Sequence, residues 1–215
     1  MKKQLNPIFL LIFLFLTACS SGEIYTKSDF SDITNSHKRV AILPFNVSYD
    51  PKSISREFTI ETAKKSEKEE SVIFQQNIYA QFLKRQNQGK YTVEFQDVDD
   101  TNAILKRNGI SYDNISSYTK AEIANKLGVD AVISGSIRRS KPMSTTGAVV
   151  MTLFFGFGGN TNRIDINMTL HNGTDGKLLW KYDNDRGAGL GSSAEAIAKS
   201  LMNNISKNFP YMKKV

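Results

Sequence analysis

The chain has 215 residues, 40% apolar and 23% charged, which suits one globular domain plus a targeting segment and excludes wholesale disorder and collagen-like repeats. Its single cysteine excludes an intramolecular disulfide and a four-cysteine zinc site. The two histidines, His37 and His171, are far apart in sequence, which argues against histidine-based metal or triad chemistry, and a formal charge of +7 names no partner by itself.

The first nineteen residues read as an address. Lys2 and Lys3 precede an unbroken apolar run, Ile8 to Leu16. Nine residues are too few to span a bilayer as a helix, which takes about twenty, but they suit the apolar core of a secretory signal peptide. The run ends in Leu16-Thr17-Ala18-Cys19, which resembles the lipobox of bacterial lipoproteins. That resemblance implies cleavage after residue 18 and a diacylglycerol on the Cys19 sulfur. Removing residues 1–18 lowers the formal charge from +7 to +5, too little to suggest nucleic acid as a partner. Ser20 and Ser21 follow the cysteine, and the absence of an aspartate there implies the outer membrane, on its periplasmic side. Residues 19–37 are polar with scattered Ile and Tyr and read as a flexible lipidated tether; residues 38–215 are then the domain.

Within the domain, Arg39 to Val47 is rich in branched residues and reads as a buried strand ending near Pro44. Residues 55–86 read as one long helix, open to a break near Ser66, with Phe74, Ile78 and Phe82 recurring every fourth position. The mixed-sign run Lys64 to Glu70 reads as its solvated face. Tyr91–Gln96 alternates like a strand; Asp99 or Asp100 caps a short helix that Gly109 stops. Thr119 and Glu122 form a capping box, and Gly128 sits where a helix meets the strand Val129–Ile137. Ile164, Ile166, Met168 and Leu170 alternate with polar residues, as do Leu178, Trp180 and Tyr182, which predicts a hairpin around Asn172–Gly176 with His171 on its wet face. Ser192 and Glu195 read as a second capping box, opening a last helix that runs to Phe209 before Pro210.

Catalytic and cofactor readings fail one by one. Gly187–Gly191 has GxGxG spacing, and no strand follows the next helix, so no dinucleotide unit exists. Gly156–Gly159 lacks the Lys-Ser/Thr ending of a phosphate loop. No nucleophile, base and orienting group come together, so the expectation is a non-enzyme with no cofactor and no bound metal. The candidate contact segment is residues 144–162, which carry no charge. Its apolar members are Val149, Val150, Met151, Leu153, Phe154, Phe155 and Phe157. It either packs under the sheet or meets a membrane or partner. Ala148 to Phe155 does not alternate as a barrel strand facing a wet lumen would.

Val40-Ala41-Ile42-Leu43-Pro44-Phe45, the run Leu127 to Gly135 (LGVDAVISG) and Gly176-Lys177-Leu178-Leu179-Trp180, in this order after the lipobox, resemble a superfamily of envelope lipoproteins. That group includes the curli secretion channel subunit CsgG, the penicillin-binding-protein activator LpoB and the TolB N-terminal domain. The resemblance implies a compact α/β domain, a mixed sheet flanked by helices, whose C-terminal hairpin is followed by a helix. It also implies action by binding: forming secretion pores, activating wall synthases or scaffolding envelope complexes. The channel subunits carry two amphipathic membrane hairpins, whereas this chain has one apolar insert. The leading expectation is therefore an accessory or scaffold lipoprotein that binds another envelope protein. The alternative is a subunit of an oligomeric secretion channel that inserts residues 144–162.

Overall fold

The computed structural model describes residues 22–140, 164–184, 193–206 and 208–213. Its strands are β1 (Glu23–Thr26), β2 (Arg39–Ile42), β3 (Asn46–Tyr49), β4 (Glu94–Phe95), β5 (Ala131–Arg139), β6 (Ile164–Asn172) and β7 (Leu178–Asn184). Its helices are α1 (Phe30–Thr34), α2 (Ile60–Gln86), α3 (Val98–Arg107), α4 (Lys120–Leu127) and α5 (Ala194–Ile205). The strands form one mixed sheet in the order β1-β7-β6-β5-β2-β4, with β3 also paired to β5. This is the α/β architecture expected, with the β6–β7 hairpin followed by a helix.

The predicted strand Arg39–Val47 is two strands. Pro44 has no N–H to give a ladder, so the chain breaks there. β2 pairs in parallel with the first half of β5 (Val40↔Ala131), and β3 with the second half (Val47↔Ile137). The Phe45 ring sits in the gap. A Cβ on Gly135 would lie 2.3 Å from that ring and 2.5 Å from the Asn167 carbonyl oxygen, so the ring needs a glycine there.

The two faces of the sheet bury different amounts. One carries the larger core: Val40, Ile42, Ile133, Ile137, Ile166, Met168 and Trp180 pack against Phe74, Ile78 and Phe82 of α2 and Ile197, Leu201 and Ile205 of α5. The other buries Ala41, Leu43 and Val132 under Leu105 of α3 and Ile123, Ala124 and Leu127 of α4. At about 25 cal/mol per Å² of apolar surface, the first face contributes most of the hydrophobic stabilisation.

Several boundaries move. α2 starts at Ile60, capped by Thr59, whose side chain accepts from the Thr62 N–H, and runs unbroken through Ser66. α3 is capped by Asp97, not Asp99 or Asp100, because the Asp97 carboxylate accepts from both of their N–H groups. The strand at 91–96 shrinks to Glu94–Phe95, with Tyr91 forming a single bridge to Met212. A bulge at Leu170/His171 shifts the β6–β7 register, so Leu178 is half-buried while Leu179 and Trp180 are both buried. Ser193 rather than Ser192 caps α5, and the helix stops at Ile205, before Phe209. α4 matches expectation, with both hydrogen bonds of the Thr119–Glu122 box and Gly128 at φ 66°.

The largest difference lies at 22–37. From Gly22 on, the segment expected as a tether is folded. β1 pairs antiparallel with β7, Phe30 is buried, and Tyr211 meets the buried His37. The polar composition belongs to the solvent side of an edge strand and a short helix.

Candidate functional site

The predicted site residues Leu16, Thr17, Ala18 and Cys19 lie outside the described residues. So do Val149, Val150, Met151, Leu153, Phe154, Phe155 and Phe157, and the glycine runs Gly156–Gly159 and Gly187–Gly191. Their points of attachment are described, and they share one end of the sheet. β5 ends at Arg139 opposite Ile164, where β6 begins. β1 begins at Glu23 opposite Asp183, and β7 ends at the next residue, Asn184, opposite Ile166. Residues 140–163 therefore join two neighbouring antiparallel strands through 24 residues. Hairpin loops commonly take about two to five residues, so this connection is several times the usual length.

The same end holds a buried charged cluster. The Tyr49 hydroxyl donates to Glu70 Oε1 at 2.5 Å. Arg139 Nη1 lies 3.8 Å from Glu70 Oε2, and the guanidinium stands over the Phe74 ring, 5.9 Å from its centroid. Arg139 and Glu70 are each 3% exposed. Burial lowers the pKa of Arg139, and the Glu70 carboxylate opposes that shift. Burial raises the Tyr49 phenol, and the hydrogen bond to Glu70 raises it further. Nearby, the Asp50 N–H donates to the Arg139 carbonyl at 2.8 Å and Ser53 Oγ to the Ser140 carbonyl at 2.6 Å. The arrangement has no nucleophile. It ties α2 and the end of β3 to the residue from which the long connection departs.

Glu70, within the run expected to be the solvated face of its helix, is buried. The missed signal was spacing: residues 70, 74, 78 and 82 form one stripe, so Glu70 shares the core face with Phe74, Ile78 and Phe82. Tyr49 and Arg139 gave no local signal, because only the parallel β3–β5 register brings them together.

The opposite end of the sheet is sealed. Tyr211 Oη and His37 Nδ1 lie 2.7 Å apart, both buried. Burial lowers the His37 pKa, against the pull of the Asp130 carboxylate and Asn172. Asp130 Oδ2 accepts from the N–H groups of Lys38 and Arg39 at 2.7 and 2.9 Å. Burial works to raise that carboxyl, and the two donors outweigh it, leaving it lowered. His171, expected in solvent, is half-buried; its Nδ1 lies 3.1 Å from the Gly176 carbonyl, and burial lowers its pKa. An open depression beside α4 is lined by Ala121, Glu122, Asn125, Lys126, Asp130 and Thr174. Its Asp130 is committed to the Lys38 and Arg39 N–H groups. Among the described residues no three His, Cys, Asp or Glu side chains are grouped to hold a metal, and no helix is long and apolar enough to cross a membrane.

No family model matches the chain, and no curated protein does. Among solved structures it is similar to lipoprotein GNA1162 from Neisseria meningitidis, at 14% identity and TM-score 0.40, over 80% of this chain and 97% of that one. It is similar to the LpoB C-terminal domain from Salmonella enterica, at 14% identity and TM-score 0.34, over 72% and 89%. It is also similar to the PelC dodecamer from Paraburkholderia phytofirmans, at 11% identity and TM-score 0.38, over 91% and 99%.

Proposed function

We propose that this protein is a lipid-anchored, non-enzymatic lipoprotein that faces the periplasm from the outer membrane and binds another envelope protein. The observation that carries the reading is Leu16-Thr17-Ala18-Cys19 behind a nine-residue apolar run, with Cys19 the chain's lone cysteine. The described fold supports a binding role in two ways. Its buried polar groups hold elements together instead of surrounding a substrate, and its one very long connection bears the uncharged apolar run. The contact residues are then Val149, Val150, Met151, Leu153, Phe154, Phe155 and Phe157. The Cys19→Ala variant should leave the membrane fraction for the soluble one; undiminished membrane association with unchanged processing would refute the anchor.

The length of the 140–163 connection favours one second reading, a channel subunit that inserts the apolar run as part of an oligomeric pore. The particle mass in mild detergent separates the two. A monomer or dimer supports the accessory protein, and a large ring of defined size supports the channel.

A further inference from the structure

If Cys19 carries a lipid, as proposed above, the fold allows little freedom between that lipid and the domain. Gly22 is already docked on β7: a Cβ there would lie 2.6 Å from both the Asp183 carbonyl oxygen and the Tyr182 ring. Three residues reach back from Gly22 to Cys19, and fully extended they span at most about 11 Å. The end of the sheet where β1 begins must then lie within that distance of the bilayer surface.

The same end carries an apolar side chain that no described residue covers, Ile60. α2 is 27 residues long, about 40 Å, against about 30 Å for the nine-residue β5. Gln75 Nε2 donates to the Ile42 carbonyl at 2.7 Å, in mid-sheet, whereas Glu70 meets Arg139 at the sheet's end. The helix therefore runs outward toward its N-terminus, and Ile60 stands about 15 Å farther along its axis than Glu70. Ile60 is 63% exposed. A branched aliphatic residue at the outer end of a protruding helix suits a lipid–water interface.

We infer that the end of the sheet where β1 begins, with the first turn of α2, rests on the phospholipid headgroup surface that holds the anchor. The domain does not swing on a tether. The residues at the far end, Thr174 among them, point away into the aqueous space, beyond Ala131, which lies about 17 Å along β5 from the level of Glu23.

The test uses the full-length lipidated protein in vesicles of phosphatidylethanolamine and phosphatidylglycerol. With the Cys19 sulfur acylated, Ile60→Cys and Thr174→Cys each offer a single free thiol for an environment-sensitive fluorophore. A lipid-borne quencher should quench the label at 60 several-fold more than the label at 174. Equal quenching at both positions, or none at either, in protein that floats with the vesicles overturns the orientation while the anchor stands. Protein that does not float, with no lipid on its N-terminal peptide, overturns the anchor and this inference with it. A Gly/Ser insert of about twenty residues ahead of Gly22, spanning about 25 Å on average, should reduce quenching at 60 to the level at 174 without loss of flotation. Unchanged quenching there overturns the short link as the cause.

Discussion

At the end of the sheet where β5 stops, an arginine and a glutamate are buried together; at the end where it starts, a histidine and a tyrosine are. Around the second pair the chain turns quickly, through Gly128 and the Asn172–Gly176 loop, and the C-terminal Phe209 and Tyr211 close over the core. At the first end the chain departs: residues 140–163 leave from β5, residues 185–192 from β7, and the N-terminus from β1. The sealed end pairs His37 with Tyr211 and gives the Asp130 carboxylate two backbone N–H donors. An end from which long segments leave needs a fixed base, and a charged cluster bound to α2 supplies one through directional contacts. Both ends contribute to stability, and the proposed function lies at the first.

The largest expected effect comes from halving the charged pair. Arg139→Ala leaves the Glu70 carboxylate buried without its guanidinium and should cost about 3–5 kcal/mol in urea unfolding. The double variant Arg139→Met with Glu70→Leu removes both charges and should cost less than the single one, because no ion is stranded. A double variant worse than the single one would mean that the pair contributes more than its mutual compensation. At the sealed end the comparable loss is apolar. Phe209 packs on Phe82, Tyr91, Trp180 and Tyr211, with centroids 4.9 to 5.8 Å apart. Phe209→Ala should cost about 3–5 kcal/mol by the same assay, without altering membrane association.

A smaller effect separates the ends by pH. Burial depresses His37 and His171, so the unfolded chain binds more protons than the fold as pH falls. Their stabilisation is complete above the ordinary histidine value near 6.5 and is lost as pH drops through the lowered values in the fold. Thermal unfolding should therefore shift down between about pH 7.5 and 5.5. His37→Gln should flatten that dependence in part, whereas Arg139 variants should leave its slope unchanged. The smallest effect is local: Thr119→Ala removes the α4 cap and should cost about 1 kcal/mol.

The comparison also explains what could be read in advance. The sealed end is made of short-range rules. The Thr119–Glu122 box, the left-handed Gly128 and the Asn172–Gly176 turn each depend on residues a few positions apart, and each is legible in the sequence. The other end depends on partners distant in sequence. Glu70 is buried because Tyr49 and Arg139 meet it, 21 positions before and 69 after. Residues 23–26 are a strand because β7 offers a free edge; four residues with one half-buried Ile carry no alternation to detect. Pro44 was visible, but the second strand beyond it followed only from the length of β5.

The central claim is that Cys19 anchors the chain, and the most direct test is the mass of the N-terminal peptide of protein purified from bacterial membranes. A peptide that begins at residue 19 and carries a diacylglycerol on sulfur is the predicted result. A chain cut elsewhere, or one with a free Cys19 thiol, would contradict the account.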